Sequence, residues 1–318
     1  MKVALWGVWH VHARDYLRSA LALAEVVGVY DANETWRKEF CEKNNLPEFD
    51  SPEALLQSEA EGVIVCTATS EHVEVMERIA DAGKDIFTEK VLALSDEGCE
   101  RIAAAVERNG VRFVISLPQK YNASRIAVQQ VAASGELGKL NYMRFRNCHS
   151  GSVDNWLPAH FYNAEECGGG AMIDLGAHGM YLTDWICGQP DTYASTFTVS
   201  CDSEAMKQKN ADGVEDNAVT VMGYANGCIV VAETGFVSKG YPVSLEVGGD
   251  KGYVRLEGRR IVKATADTEY KQVEVEIGEN QPLPIEQFLT GNILPGCGME
   301  EAKRLTHMMV MAYKNVAK

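Results

Sequence analysis

Over its first 118 residues the chain alternates short apolar runs, rich in β-branched residues, with helix-length amphipathic stretches. That rhythm predicts a parallel sheet covered by helices. Five strands are expected at Lys2–Trp6, Val26–Tyr30, Gly62–Cys66, Asp85–Thr88 and Arg112–Leu117. Between the third and fourth, Glu71–Gly83 puts Val73, Met76, Ile79 and Ala80 on one helical face and stops at Gly83, a natural C-terminal breaker. The next helix starts at Ser95, an N-cap residue type, buries Ile102, Ala103 and Val106, and ends at Asn109-Gly110.

Beyond Pro118 the pattern changes. A helix near Ser124–Ser134 closes at Gly135, a strand follows at Leu140–Asn147, and a long aromatic and polar loop runs into Gly168-Gly169-Gly170. After a further helix, alternating segments at Ala218–Tyr224, Ile229–Phe236, Val243–Val247, Tyr253–Glu257 and Gln272–Ile277 predict an antiparallel meander, with turns at Asn226-Gly227 and Gly248-Gly249. A last helix is expected over Met299–Val316. The fold class expected is α/β: a Rossmann domain with a doubly wound parallel sheet at residues 1–118, then an α+β domain at 119–318 with a large, mostly antiparallel open sheet. The last helix is a candidate to pack back on the first domain. The length of 318 residues also favours two cores over one.

Composition narrows the partners. Asp and Glu outnumber Lys and Arg 45 to 30, for a formal net charge of -15, and no long basic run occurs. Nucleic acid and anionic membrane surfaces are therefore not expected partners. No apolar stretch reaches the roughly 18 residues that a membrane span needs. The chain opens straight into a strand with none of the features of a leader, which predicts a cytoplasmic protein. Nine cysteines without a CxxC pair fit reduced thiols better than a disulfide framework or a zinc site.

The first strand-to-helix turn reads Gly7-Val8-Trp9-His10-Val11-His12-Ala13. Dinucleotide folds place glycines there so that backbone can approach a pyrophosphate; here only the first glycine is present. Asp31 ends the second expected strand, where an acidic residue binds the ribose hydroxyls and repels the extra phosphate of NADP. NAD is thus favoured, with NADP left open because Arg37 lies nearby. The alternative for Asp31 is a solvated turn starter. Glu89-Lys90 follows the fourth strand, on the carboxyl edge where such sheets bind ligands, and a lysine there can donate to a substrate oxygen; a surface lysine is the plainer reading.

In Gly168-Gly169-Gly170-Ala171-Met172-Ile173-Asp174-Leu175-Gly176-Ala177-His178, helical geometry puts Asp174 and His178 on one face, as a carboxylate and an imidazole suited to proton transfer near neutral pH. A capping or surface pair and two ligands of a metal site are the other readings. No third ligand stands at a telling spacing, so no metal is expected. His160 is a candidate substrate contact, His72 opens a helix near the cofactor edge, and His307 reads as structural. His10 and His12 either face a pyrophosphate or pack.

Together these segments resemble the glucose-fructose oxidoreductase and inositol dehydrogenase family, Gfo/Idh/MocA, over nearly the whole chain. The likeness runs through Cys66-Thr67-Ala68-Thr69-Ser70-Glu71-His72, Ala82-Gly83-Lys84-Asp85, Phe87-Thr88-Glu89-Lys90, Ser134-Gly135-Glu136-Leu137-Gly138-Lys139, the triple glycine with Asp174 and His178, and Glu215-Asp216-Asn217. The resemblance implies an NAD(P)-dependent dehydrogenase acting on a sugar, cyclitol or related polyol. It implies His178 as acid/base, Lys90 polarising the same oxygen and Asp174 positioning both. Cofactor contacts are then expected from Gly7, Trp9, His10, Val11, His12, Asp31, Thr67, Ala68, Thr69, His72 and Glu89, and substrate contacts from Lys120, Asn155, Trp156 and His160. A homodimer or homotetramer through the second domain's sheet is also implied.

Three features depart from the family pattern. The glycine turn is short and lacks two glycines, Val91 stands where proline usually follows Glu89-Lys90, and Tyr181 stands where an aspartate often follows the histidine, with Asp184 one turn later. A redox-neutral NAD-dependent sugar lyase or glycosidase, a catalytically silent sugar or nucleotide sensor, and a metal hydrolase are the competing functions.

Overall fold

The computed structural model describes residues 1–317, and the chain divides into two compact units. One holds Met1–Pro118 and Pro282–Thr306; the other holds Gln119–Gln281 and the chain from His307 onward.

The first unit is built on five strands: β1 (Lys2–Trp6), β2 (Glu25–Tyr30), β3 (Gly62–Val65), β4 (Asp85–Thr88) and β5 (Phe113–Ile115). They lie in the order β2-β1-β3-β4-β5, and every neighbouring pair is parallel. Val3, Ala4, Leu5, Val63, Ile64 and Val65 are fully buried, as expected of central strands covered on both faces. Between strands run α1 (Ala13–Leu23), α2 (Glu34–Asn44), α3 (Pro52–Gln57), α4 (His72–Asp81) and α5 (Asp96–Asn109). Ser95 caps α5 by accepting the Gly98 amide at 3.0 Å, and Gly110 ends it at φ +62°. The chain leaves β1 toward β2 on one side and returns to β3 on the other. That reversal creates a crevice at the carboxyl ends of β1 and β3, the usual ligand position in such sheets.

The second unit contains α6 (Ala123–Ala133), β6 (Leu140–Cys148), α7 (Ala164–Cys167), α8 (Ala177–Cys187), β7 (Thr192–Thr198), α9 (Glu204–Lys209), β8 (Asn217–Gly223), β9 (Ile229–Gly235), β10 (Ser244–Gly249), β11 (Gly252–Glu257), β12 (Arg260–Thr265) and β13 (Val273–Glu274). The sheet order is β13-β12-β11-β10-β6-β9-β8-β7. All pairs are antiparallel except β6 with β9, so the strands form an open, mostly antiparallel sheet and not the simple meander that the sequence predicts. Met143, Phe145, Met222, Val230, Leu245 and Val254 point inward, where α6 and α8 pack on the sheet.

Two further expectations need correction. Gly248-Gly249 is no turn: both residues pair within β10, and the hairpin to β11 turns at Asp250-Lys251. A Cβ on Gly249 would stand 2.1 Å from the Leu137 carbonyl oxygen, so this glycine serves close backbone approach. The expected strand at Gln272–Ile277 pairs only over β13, while β7 and β12 were not anticipated.

The chain closes with α10 (Pro284–Thr290), in the first unit, and α11 (Met299–Lys314), which begins in the first unit and ends in the second. Phe288 of α10 packs on Phe87 at 5.8 Å between ring centroids. Among the described residues no helix is long and apolar enough to cross a membrane.

Candidate active site

In the first unit the turn after β1 is shaped by backbone contacts with its neighbours. The Gly7 amide donates to Tyr30 O at 2.7 Å and the His10 amide to Cys66 O at 3.0 Å. Gly7 sits at φ +92°, and a Cβ there would fall 2.6 Å from the Thr67 amide nitrogen. The one glycine of the turn is therefore the one that this backbone demands.

Asp31 is 7% exposed, and its carboxylate accepts the amides of Val8 and Asn33, each at 2.7 Å. Burial pushes its carboxyl above the usual aspartate value, against those two amides. Arg37 donates to Asp31 O at 3.0 Å and to Glu48 Oε2 at 3.0 Å, and it is buried. Its guanidinium is thus committed within the protein and not presented to a ligand.

The other edge of the turn meets the end of β4. Glu89, 2% exposed, accepts the Tyr16 hydroxyl and lies 2.7 Å from His12 Nδ1 and 3.7 Å from His10 Nδ1, while its other oxygen accepts the Lys90 amide at 3.0 Å. Burial alone would raise this carboxyl; His10, His12 and Lys90 outweigh it and hold the group well below the usual glutamate range. Lys90 is buried and the Lys90–Val91 peptide is cis. Thr67 and Ala68 are buried, Thr69 opens the short turn before α4, and Val11 is 42% exposed. His72 has no exposed surface to offer a cofactor. Its Nδ1 lies 3.1 Å from the carbonyl oxygens of both Val91 and Leu92, and burial lowers its basicity, so the ring acts as a brace for the segment after Lys90.

In the second unit the triple glycine is fastened by Glu215. That carboxylate accepts the amides of Gly170 at 3.0 Å and Met172 at 2.9 Å and the Tyr313 hydroxyl at 2.6 Å. Burial pushes its carboxyl up, and Tyr313 and the amides offset part of that. A Cβ on Gly170 would stand 2.0 Å from Glu215 O. The turn opens into a single π-helical stretch, Met172–Gly176, ahead of α8. Asp174 and His178 therefore do not follow the plain α-helical register that their spacing predicts; such π insertions recur at functional sites.

His178 Nδ1 lies 2.8 Å from the Tyr181 hydroxyl, which accepts the Gln119 amide at 3.0 Å. The Lys120 amine stands 5.7 Å from the Trp185 ring centre. Asp174 faces His149, a residue that sequence reasoning missed: burial lowers the basicity of this ring and the Asp174 charge raises it. His149 accepts the Gly151 amide at Nδ1, stacks on Phe236 at 4.9 Å and meets Trp156 at 4.6 Å. Trp156 is 54% exposed. Asn155, at φ +55°, accepts the Lys209 amine through its side chain at 2.8 Å, and His160 lies in a short turn, its carbonyl 3.3 Å from Cys167 Sγ.

Each unit thus groups several of the expected residues. Gly7, His10, His12, Asp31, Thr67 and Glu89 cluster in the first, and Asp174 and Trp156 gather around His149 in the second. Tyr16 and Glu215 carry no chemistry that a lone sequence motif announces.

An open parallel sheet with its switch point beside β1 and an acidic residue just past β2 is an arrangement that binds nucleotides at the carboxyl edge. Residues 1–117 match the oxidoreductase family with an NAD-binding Rossmann fold, and residues 126–255 match the GFO/IDH/MocA C-terminal domain. The chain belongs to the Gfo/Idh/MocA family of oxidoreductases, with an NAD-binding Rossmann domain.

It is 27% identical over 267 residues to inositol 2-dehydrogenase of Paracoccus denitrificans, covering 80% of this chain and 74% of that protein. It is 26% identical over 206 residues to scyllo-inositol 2-dehydrogenase (NAD(+)) of Bacillus subtilis, covering 64% of this chain and 57% of that protein. In fold it is similar to levoglucosan dehydrogenase solved with NADH and levoglucosan, with a TM-score of 0.82 at 16% identity over 99% of this chain and 96% of that one.

Proposed function

We propose that this protein oxidises a CH–OH carbon of a sugar, cyclitol or related polyol, with Lys90, Asp174 and His178 carrying the acid-base work. The observation that carries the reading is the end of β4, where Lys90 is only 6% exposed and the backbone that bears it is fixed by Glu89. A buried amine at the carboxyl edge of a nucleotide-binding sheet is placed for chemistry more than for solubility.

The residues present fit NAD. Gly7 lets the turn after β1 pack closely on Thr67 just past the end of β3, and Asp31 keeps about half of its roughly four acceptor sites after holding two amides. Arg37, committed to Asp31 O and Glu48, offers nothing to a 2′-phosphate, which favours NAD over NADP. Gly7 and the following turn, Trp9, His10, Val11 and His12, with Thr67, Ala68, Thr69 and Glu89, would hold it. When bound, it accepts the two electrons removed from the substrate carbon.

In this reading His178 takes the proton from the substrate hydroxyl, and Tyr181 fixes the ring from the far nitrogen. Lys90 donates a hydrogen bond to the same oxygen and steadies its developing negative charge, and Asp174 positions both. Lys120, Asn155, Trp156 and His160 are the proposed substrate contacts, with the exposed Trp156 face suited to the apolar side of a sugar ring. The names of the inositol and levoglucosan dehydrogenases support a polyol or sugar as substrate.

The reading also takes the protein to be cytoplasmic and a homodimer or homotetramer joined through the outward face of the second sheet. Val221 and Ile229, 39% and 49% exposed, give that face an apolar patch.

The test is NADH formation from a panel of inositols and sugars, by wild type and by Lys90→Ala and His178→Ala. Loss of about 10²- to 10⁴-fold in turnover is expected for each variant. The double variant should lose far less than the product of the two, as groups acting on one oxygen do. Product formation with no net NADH would replace this reading with a redox-neutral one, and unchanged turnover in Lys90→Ala would remove the lysine from the chemistry.

A further inference from the structure

The sequence gives no reason to expect a metal, yet one group in the first unit has the makings of a metal site. His10, His12 and Glu89 each bring one nitrogen or oxygen ligand atom, and these atoms all lie within 4.8 Å of one another. His12 Nδ1 to Glu89 Oε1 is 2.7 Å, and His10 Nδ1 to the same oxygen is 3.7 Å. Around a tetrahedral zinc with bonds of about 2.0–2.1 Å, neighbouring ligand atoms stand roughly 3.3 Å apart. The three donors bracket that spacing, so small side-chain rotations bring them onto one ion.

The surroundings suit the same purpose. His10 Nδ1 accepts the His12 amide at a long 3.3 Å, a weak bond that an ion would replace. The Glu89 carboxylate is fixed in place by the Tyr16 hydroxyl and by the Lys90 amide, and Tyr16 is itself held 2.8 Å from Ser116 Oγ. Partners of this kind orient ligating groups and raise metal affinity. Two imidazoles and a carboxylate select a first-row transition ion over magnesium or calcium, which prefer all-oxygen sites.

We propose that His10, His12 and Glu89 form a three-ligand site for a divalent transition-metal ion of the zinc class, with the fourth tetrahedral position open to an exogenous ligand. Binding replaces the hydrogen bond between His12 Nδ1 and Glu89 Oε1 by a bond from each atom to the ion, the proton of the neutral imidazole moving to Nε2. The same three residues are placed against the dinucleotide in the proposed function, so the metal is tested on the chain free of NAD, where its failure leaves that reading untouched.

The experiment uses the full chain, stripped with a chelator and free of NAD. Zinc is titrated by calorimetry, cobalt(II) is read by visible absorption, and magnesium serves as the comparison. Expected are one zinc per chain at micromolar affinity or tighter, intense tetrahedral cobalt bands, and no comparable magnesium binding.

His12→Ala and Glu89→Gln should each weaken zinc at least about tenfold. Their folding is checked by circular dichroism, and the wild-type cobalt spectrum is informative whether or not they fold. A thiolate-to-cobalt charge-transfer band would place the ion on cysteine and overturn the proposal, as would zinc affinity unchanged in folded variants or binding no tighter than millimolar.

Discussion

The Tyr181 hydroxyl sits 2.8 Å from His178 Nδ1 and receives the Gln119 amide on its other side. A phenol thus orients this nitrogen without placing a further negative charge beside the imidazole. Tyr181→Phe is expected to lower kcat by roughly ten- to a hundredfold, a share of what general acid-base catalysis supplies. KM should move little. Steady-state kinetics checks this; an unchanged kcat removes Tyr181 from the positioning of His178.

Asp31 should decide between the two dinucleotides. Replacing it by Ser removes the carboxylate while leaving a hydrogen-bonding side chain, and the ratio of kcat/KM for NAD over NADP is expected to fall by roughly tenfold. Because Arg37 is bound to Asp31 O and Glu48, the variant should gain little NADP affinity beyond the relief of repulsion. Initial rates with both cofactors measure it, and an unaltered ratio would show that selectivity lies elsewhere.

The glycine turn offers a stability test. A Cβ at residue 170 meets the Glu215 carbonyl oxygen at 2.0 Å, a backbone atom that cannot swing away. Gly170→Ala should therefore cost about 1–3 kcal/mol. At Gly83, where the space is open but φ is +70°, the same change costs only backbone strain, about 1 kcal/mol. Urea unfolding of both variants gives the order, and a smaller loss at residue 170 than at residue 83 would contradict the packing argument.

Acid should find out Glu89. Burial opposes its ionised form, but His10, His12 and Lys90 hold its carboxyl well below the ordinary glutamate range. The folded chain therefore binds fewer protons here than the unfolded chain. The stability this gives is present above the unfolded value and is lost as pH falls through and below it. Glu89→Gln should flatten that part of the stability profile. Urea midpoints at mildly acidic and more acidic pH compare the slopes, and equal slopes in the two proteins would refute the assignment.

Much of the architecture was legible because the decisive signals were local. Lys2–Trp6 and Asp85–Thr88 are short apolar runs with clear ends, and both form strands with those bounds. Ser95 carries its capping role in its own identity and in three residues of spacing. By contrast β7, with Thr and Ser at most positions, and β12, with Arg260 and Lys263 interrupting it, lack the apolar alternation that marks a strand.

The candidate site was legible in its parts more than in its assembly. Glu89 and His12 lie 77 residues apart, so no spacing rule links them. Tyr181 was visible as a departure from the family pattern, but only folding gives it a partner. The π-helical stretch at Met172–Gly176 is invisible to a periodicity that assumes an ordinary helix.

Glu215 joins two stretches of chain that are far apart in the gene, the glycine turn that runs from Gly170 into the π stretch at Met172 and the closing helix at Tyr313, with Glu215 itself the third segment. Recombining this protein with a relative therefore has a grammar. A crossover that imports a foreign tail without its own tyrosine strands the carboxylate and loosens the loop beside Asp174, whereas one that moves all three segments as a block keeps the knot tied.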